Sequence, residues 1–187
     1  MAQISTSDFK NGMTLDLDDG LFNLVEFQHV KPGKGGAFVR TKLRNVRTGS
    51  VLERTFNAGV RVEQAIVDRQ DMQFLYRDAD DYVFMNTSTY DQTQVAPAAL
   101  GTVADYLVEG AVAQIAQYQG QIIGVEIPAS VELSVAQTEP GVQGDRVSGA
   151  RKPAVLETGK TVQVPLFVEV GDRVKVDTRS GEYITRV

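Results

Sequence analysis

Short runs of alternating apolar and polar residues, separated by turn residues, recur along most of the chain, and this is the pattern of half-buried β-strands. Two of these runs, residues 21–30 and 37–46, carry β-branched and aromatic side chains and enclose a segment rich in glycine and proline. The pattern predicts two strands that are joined by a turn at residues 31–36.

The composition of this turn does not suit a strand interior. Gly33, Gly35 and Gly36 weaken a strand, and Pro32 fixes its own backbone dihedral and lacks an amide hydrogen. Because Lys34 lies between two of these glycines, the sequence predicts a single flexible cation at the exposed tip of a β-hairpin.

Further strands are predicted on both sides of the hairpin, at residues 14–17 and 50–56. Asp19-Gly20 lies between two alternating runs and is a strong signal for a second hairpin. So many short strands in the first third of the chain predict a small β-barrel, of the SH3 or KOW-like type.

The middle third shows a second series of strands together with one helix. Apolar residues recur at helical spacing after Pro97, which predicts a helix over residues 97–107 whose apolar face packs into the core. The polar residues 87–95 are predicted to form a loop. Strands are predicted at residues 71–77, 81–86, 111–118 and 121–127, and this arrangement fits an OB-type barrel.

The pattern of the last third of the chain predicts another barrel of the OB type, which contains a long loop. Residues 139–153 are rich in glycine and bounded by proline, and loops of this length are usually functional or disordered. Within it, Arg146, Arg151 and Lys152 are suited to phosphates, and Asp145 can accept a hydrogen bond from a base. The predicted strands are residues 130–138, 161–164, 166–170, 173–177 and 182–187.

A jump in composition near residues 62–65 and the proline at position 128 indicate two domain boundaries. We therefore predict three consecutive domains, at residues 1–64, 65–128 and 129–187. The predicted fold is all-β, with three small β-barrels in series.

Charge is distributed unevenly over these thirds. The net charge is −5, but the first third carries nine Lys/Arg and seven Asp/Glu (+2), the second two and nine (−7), and the last eight and eight (0). No carboxylate occurs between Glu26 and Glu53, a window that contains Lys31, Lys34, Arg40, Lys42, Arg44 and Arg47. A hairpin of one sign suits a phosphate backbone, whereas a solvated basic hairpin without a partner is the alternative.

The residue types limit the chemistry of the chain. It has no cysteine and one histidine, His29, so disulfides, thiolate metal sites, cysteine nucleophiles and histidine metal centres are excluded. Gly33-Lys34-Gly35 lacks the Ser or Thr and the helix of a phosphate-binding loop, and the carboxylates are scattered in turns. We therefore predict no catalytic residue, no metal site and no cofactor.

No stretch of the chain approaches the roughly 18 to 20 apolar residues that span a bilayer, and the N-terminus does not show a signal-peptide pattern. A cytoplasmic monomer without membrane contact is expected.

Several motifs in order resemble the bacterial elongation factor P family over the whole chain. They are Lys31-Pro-Gly-Lys-Gly-Gly-Ala-Phe38, Thr55-Phe-Asn-Ala-Gly59, Lys152-Pro-Ala154, Gly159, Val164-Pro165, Gly171 and the closing Val176-Asp-Thr-Arg-Ser-Gly-Glu-Tyr183. The resemblance implies three β-barrels in an L that imitates a tRNA. It also implies binding to both ribosomal subunits between the peptidyl and exit sites, where the factor relieves stalling at consecutive prolines.

The resemblance also implies roles for individual residues. Lys34 matches the family's tip residue, which points to the CCA end of peptidyl-tRNA and in some members is modified by a dedicated enzyme. Lys31, Pro32, Gly33, Gly35 and Gly36 would support the tip, and Arg40, Lys42 and Arg44 would contact the RNA backbone. Gly144, Asp145 and Arg146 match the loop at the exit-site messenger codon, where many members have Thr in place of Arg146. Tyr183 and Arg186 resemble C-terminal RNA contacts.

Two functions from different classes stay open on the sequence alone. The first is a ribosome-bound translation factor, and the second is a general OB-type RNA-binding protein that acts elsewhere than on the ribosome.

Overall fold

The computed structural model describes residues 2–141 and 149–187, and it is built mainly of antiparallel strands. Within these ranges sixteen strands form three sheets, of six, five and five strands. The prediction of an all-β fold is confirmed. No helix in the described ranges has the length and the apolarity needed to cross a bilayer.

The first sheet contains the predicted hairpin near one edge, in the strand order β1-β6-β2-β3-β4-β5. The turn at Asp19 is confirmed, because Leu17 pairs with Gly20 across it. The two strands missing from the sequence prediction, β1 and β6, pair with each other. The strands are β1 (Ala2–Ser5), β2 (Thr14–Leu17), β3 (Gly20–Val30), β4 (Phe38–Asn45), β5 (Val51–Asn57) and β6 (Arg61–Gln64).

The core against this sheet is formed by side chains that lie far apart in sequence. A short 3-10 turn, Thr6–Asp8, follows β1 and leads into the buried Phe9. The fully or nearly fully buried members of the core are Phe9, Leu15, Phe22, Leu24, Val39, Leu43 and Val62.

The second sheet has the order β11-β10-β7-β8-β9. Its strands are β7 (Asp68–Asp78), β8 (Asp81–Asn86), β9 (Gln92–Val95), β10 (Val112–Tyr118) and β11 (Gln121–Glu126). The loop prediction for residues 87–95 is wrong at its end, because the polar β9 pairs with β8 and buries Val95.

The predicted helix over residues 97–107 is also only partly correct. Pro97 does begin an α-helix, α1 (Pro97–Leu100), but Gly101 takes a φ of +54° and the α-helix ends after one turn. The chain continues as a 3-10 segment, Gly101–Tyr106. Leu100 and Leu107 are buried, so the apolar face packs into the core as predicted.

The third sheet has the order β14-β13-β12-β15-β16. Its strands are β12 (Ser130–Thr138), β13 (Arg151–Leu156), β14 (Thr161–Pro165), β15 (Arg173–Asp177) and β16 (Tyr183–Arg186). Residues 166–170 are not the predicted strand. Their backbone turns, with the Val168 N–H donating to Pro165 O and the Glu169 N–H donating to the Asp172 carboxylate.

The chain divides into two compact units, one comprising the chain up to Arg69 together with Ile115–Gly124, and the other comprising Gln70–Gln114 and the chain from Val125 onward. Within the first unit, the Tyr118 hydroxyl donates a hydrogen bond of 2.8 Å to Asp16 Oδ2. This bond, together with desolvation and the nearby carboxylates, raises the pKa of Tyr118.

An ion pair between Asp19 and Arg54 gives the first prediction. The guanidinium donates two hydrogen bonds to the carboxylate, at 3.0 and 2.6 Å, and lies over the Phe22 ring. The pair lowers the pKa of Asp19. Its contribution to stability is therefore present above the ordinary Asp pKa of about 3.9 and is lost as the pH falls further and Asp19 is protonated. In urea unfolding, Asp19→Asn should be less stable than the natural protein at pH 7, and this difference should shrink below about pH 4.

The matched control is Asp18→Asn, since Asp18 acts on Arg54 only through its charge and forms no hydrogen bond with it, so this variant should lose less stability than Asp19→Asn. A difference between Asp19→Asn and the natural protein that stays constant down to pH 2.5 would contradict the assignment.

Candidate nucleic-acid interface

The predicted tip projects from three paired strands, whereas a simple hairpin has two. β3 and β4 pair as far as Val30 and Phe38, and β5 pairs with β4 up to the same Phe38, which lies opposite Asn57. The Ala58 N–H adds a hydrogen bond to Ala37 O. Because β4 is hydrogen-bonded on both sides, the arm has three strands, and the tip projects from a fixed base.

A β-bulge at Val25 shifts which residues of β3 face the core. Leu24 is buried before the bulge, and Phe27, three residues later, packs against the same core. The Phe27 ring meets Phe9 edge-on with centroids 6.3 Å apart, and Phe9 meets Phe56 in the same way at 5.9 Å. Such edge-to-face pairs are favourable, so the aromatic cluster fixes the base of the arm.

The tip has the exposure that its sequence predicts. Every residue from Lys31 to Gly36 is exposed, and Gly35 has a φ of +113°, which an L-residue with a side chain rarely adopts. Lys34 forms no hydrogen bond or ion pair with any residue in the described ranges. Its ammonium is therefore available to a partner.

The predicted backbone-contact residues lie along one exposed face of β4. Arg40, Lys42 and Arg44 alternate with the buried residues Thr41 and Leu43. The Thr41 hydroxyl is satisfied by donating to Arg54 O at 2.7 Å. The structure therefore brings the three cations together in a row of the kind that follows a phosphate backbone.

The cations of this row differ in their neighbours. Lys42 lies between Glu26 on β3 and Glu53 on β5, which are its direct cross-strand partners. Arg40 faces Gln28 and Thr55, and Arg44 faces Asn23 and Val51. The two carboxylates at the ends of the basic window in sequence therefore become neighbours of Lys42 in the sheet. The sequence analysis did not predict this, although pairing the predicted strands would have placed residues of adjacent strands opposite one another.

The two predicted C-terminal RNA contacts, Tyr183 and Arg186, both contact other residues of the protein. Tyr183 is half-buried and packs against the core of the third sheet. Arg186 approaches the Asp172 carboxylate at 3.4 Å, and its guanidinium lies over the exposed Phe167 ring at 5.0 Å. Hydrogen bonds from the Glu169 N–H and from Arg186 lower the pKa of Asp172.

The remaining predicted residues, Gly144, Asp145 and Arg146, lie outside the described residues. His29 is exposed and meets the Phe27 ring edge-on at 5.6 Å. Residues 2–141 and 149–187 contain no group of three or more His, Asp or Glu side chains that could hold a metal ion.

Three family models match successive parts of the chain. Residues 5–62 match the elongation factor P KOW-like domain, residues 67–125 the elongation factor P OB domain, and residues 131–186 the elongation factor P C-terminal domain. Elongation factor P of Frankia casuarinae is 60% identical over 98% of each chain. That of Pelotomaculum thermopropionicum is 54% identical over 98% of this chain and its own full length.

Among solved structures, the eukaryotic translation initiation factor 5A from Methanococcus jannaschii is similar with a TM-score of 0.53. It is 24% identical, and the match covers 66% of this chain and 93% of that one. At this identity the likeness shows the fold alone.

The backbone at the tip gives the second prediction. Gly35→Ala should lower the free energy of unfolding by about 1 kcal/mol or more, because alanine at positive φ is strained. Urea unfolding measures this change. Gly33→Ala is the matched control, because a Cβ there meets nothing within 4 Å and its φ is not positive. Equal stability of the two variants would refute the prediction.

Proposed function

The chain belongs to the elongation factor P family of translation factors, and from this premise we propose that it binds the ribosome and presents Lys34 to the CCA end of peptidyl-tRNA. The observation that carries the proposal is an exposed lysine without a partner in the described ranges, at the end of an arm whose central strand is paired on both sides. The proposed result is faster peptide-bond formation at runs of proline.

The proposed mechanism is orientation without acid or base chemistry. An ammonium that contacts the terminal nucleotides of peptidyl-tRNA would restrict the motion of the ester and hold it in the geometry for attack. Because the pairing of the arm extends to Val30 and Phe38, only the few residues of the tip would have to be ordered on binding. The factor would thus act through binding free energy, with no catalytic residue of its own.

The row of Arg40, Lys42 and Arg44 is proposed to bind the RNA backbone beside the tip. Their side chains lie on one exposed face, and this face continues along the strand that ends at the tip. Backbone contacts of this kind fix register and orientation and carry no sequence information. The other tip residues would keep Lys34 exposed and extended beyond the paired strands. They are Lys31, Pro32, Gly33, Gly35 and Gly36.

The remaining proposed partners follow from the family. Gly144, Asp145 and Arg146 are proposed to contact the exit-site messenger codon, and Tyr183 and Arg186 to contact RNA from the C-terminal domain. We also propose a lysine-modifying enzyme as a partner of the exposed Lys34. The domains would be residues 1–64, 65–128 and 129–187, one for each of the three sheets.

The third prediction tests the tip directly. Lys34→Ala should reduce synthesis of a reporter that contains a proline run by about tenfold or more, because the contact that orients the substrate is lost. Synthesis is measured in a reconstituted translation system with and without added factor. A reporter without consecutive prolines is the control and should be unchanged.

The same experiment separates the two functions that the sequence left open. A general RNA-binding protein would leave stalling at the proline run unchanged whether it is present or absent. Stalling that does not respond to the natural protein would therefore refute the proposed function.

The fourth prediction concerns the unequal neighbours of the cations on β4. Arg40→Gln should reduce the slope of log K against log salt for ribosome binding by about 0.7 to 0.9 if one phosphate contact is lost. Lys42→Gln should reduce it less, because Glu26 and Glu53 already lie opposite Lys42. Filter binding at several salt concentrations measures both. Equal slopes for the two variants would contradict this difference.

A further inference from the structure

A pocket of about 410 Å³ opens in the second unit. It is lined by the 3-10 segment that contains Tyr106, by the start of β13 and β14, and by the turn between β15 and β16. Its charged lining residues are Arg151, Lys160, Arg179 and Glu182, and several Ser and Thr residues complete the wall. Three cations and one carboxylate give the lining a positive balance.

The hydroxyl of a largely buried tyrosine also belongs to this pocket. Tyr106 is only 5% exposed, and its ring is part of the core of the third sheet. Its hydroxyl forms no hydrogen bond with any residue in the part of the chain that the structure describes. The oxygen of this hydroxyl is accessible and is not enclosed in the core, so this donor is available to a ligand in the pocket.

The glycine at position 181 keeps this hydroxyl accessible. Gly181 also lines the pocket, and a Cβ there would lie 3.2 Å from the Tyr106 hydroxyl oxygen. Its φ of +74° favours glycine independently. The close approach shows that the hydroxyl end of Tyr106 is the part that faces this side of the pocket.

The three cations of the pocket differ in whether another side chain fixes their position. Lys160 is held by Asp105 at 3.3 Å and lies over the Tyr106 ring at 6.0 Å. The side chains of Arg151 and Arg179 are exposed and have no hydrogen bond or ion pair with another described residue. The Asp177 carboxylate accepts hydrogen bonds from the backbone N–H groups of Arg179 and Ser180, which fixes the turn that carries Arg179.

We propose that this pocket binds a phosphate group of an RNA backbone, with Tyr106 donating its hydroxyl hydrogen and Arg151 and Arg179 supplying charge-assisted hydrogen bonds. Guanidinium groups match the geometry of phosphate oxygens, and a hydroxyl donor completes the set. The existence of the phosphate site is independent of the proposed function, whereas the assignment of RNA as the source of the phosphate rests on it. The site lies apart from Lys34 in sequence and is a second contact between the protein and RNA.

The test follows backbone amide NMR signals of Thr161, Ser180 and Gly181 in the full chain. Inorganic phosphate is titrated at constant ionic strength, and a uridylate dodecamer is titrated in a second series. Both should shift these signals saturably. Arg179→Gln and Tyr106→Phe should each raise the dissociation constant for phosphate about tenfold, because each loses one hydrogen bond to a charged group.

Arg173→Gln is the matched control, since Arg173 is an exposed arginine of the same sheet outside this pocket, and it should bind as the natural protein does. Tyr106→Phe removes a hydroxyl that has no described partner and keeps the ring, so its thermal unfolding should be unchanged. Signals that do not move with phosphate, or that move equally in Arg179→Gln, would overturn the site, and an unchanged constant in Tyr106→Phe would overturn the role of the hydroxyl.

Signals that respond to inorganic phosphate but not to the dodecamer would refute RNA as the source and identify a site for a free anion. Neither titration contains ribosomes. Failure of this site and failure of the Lys34 reporter experiment are therefore separate results.

Discussion

The position of Lys34 depends on the pairing of β4 with a strand on each of its sides. A two-stranded ribbon is marginally stable in water and twists easily, whereas β4 is fixed by β3 and β5 as far as Phe38. The bulge at Val25 then brings Phe27 onto the aromatic core. The unpaired part is thereby reduced to a few glycine-rich residues around one lysine, and this places an exposed cation at the end of a strand that is paired on both sides.

The positive charge of this protein is concentrated on particular surfaces. A chain with a net charge of −5 does not attract RNA as a whole, and the acidic middle third opposes such attraction. The exposed face of β4 carries three cations in one row, while buried Thr41 and Leu43 alternate with them. Strand periodicity thus places these three cations on one surface, where Glu26 and Glu53 flank the middle one, Lys42.

Much of the tip was predictable from the sequence, because alternation and turn chemistry are local properties. The neighbours of each strand are not local, and the errors follow from this. The polar β9 was missed because its strand character depends on β8 and on one buried residue, Val95. Residues 166–170 show the strand pattern but turn instead, with the Asp172 carboxylate holding the backbone. For the same reason the basic window did not reveal that Glu26 and Glu53 meet at Lys42.

The hydrogen bond between Tyr118 and Asp16 spans 102 positions of the chain. A nascent polypeptide leaves the exit tunnel from its N-terminus, so the contiguous strands β3, β4 and β5 can assemble while Tyr118 has still to be synthesised. The first unit also includes Ile115–Gly124, and it reaches its final set of contacts only when that hairpin emerges. Vectorial folding would therefore form the lysine-bearing arm early and complete the unit around it late.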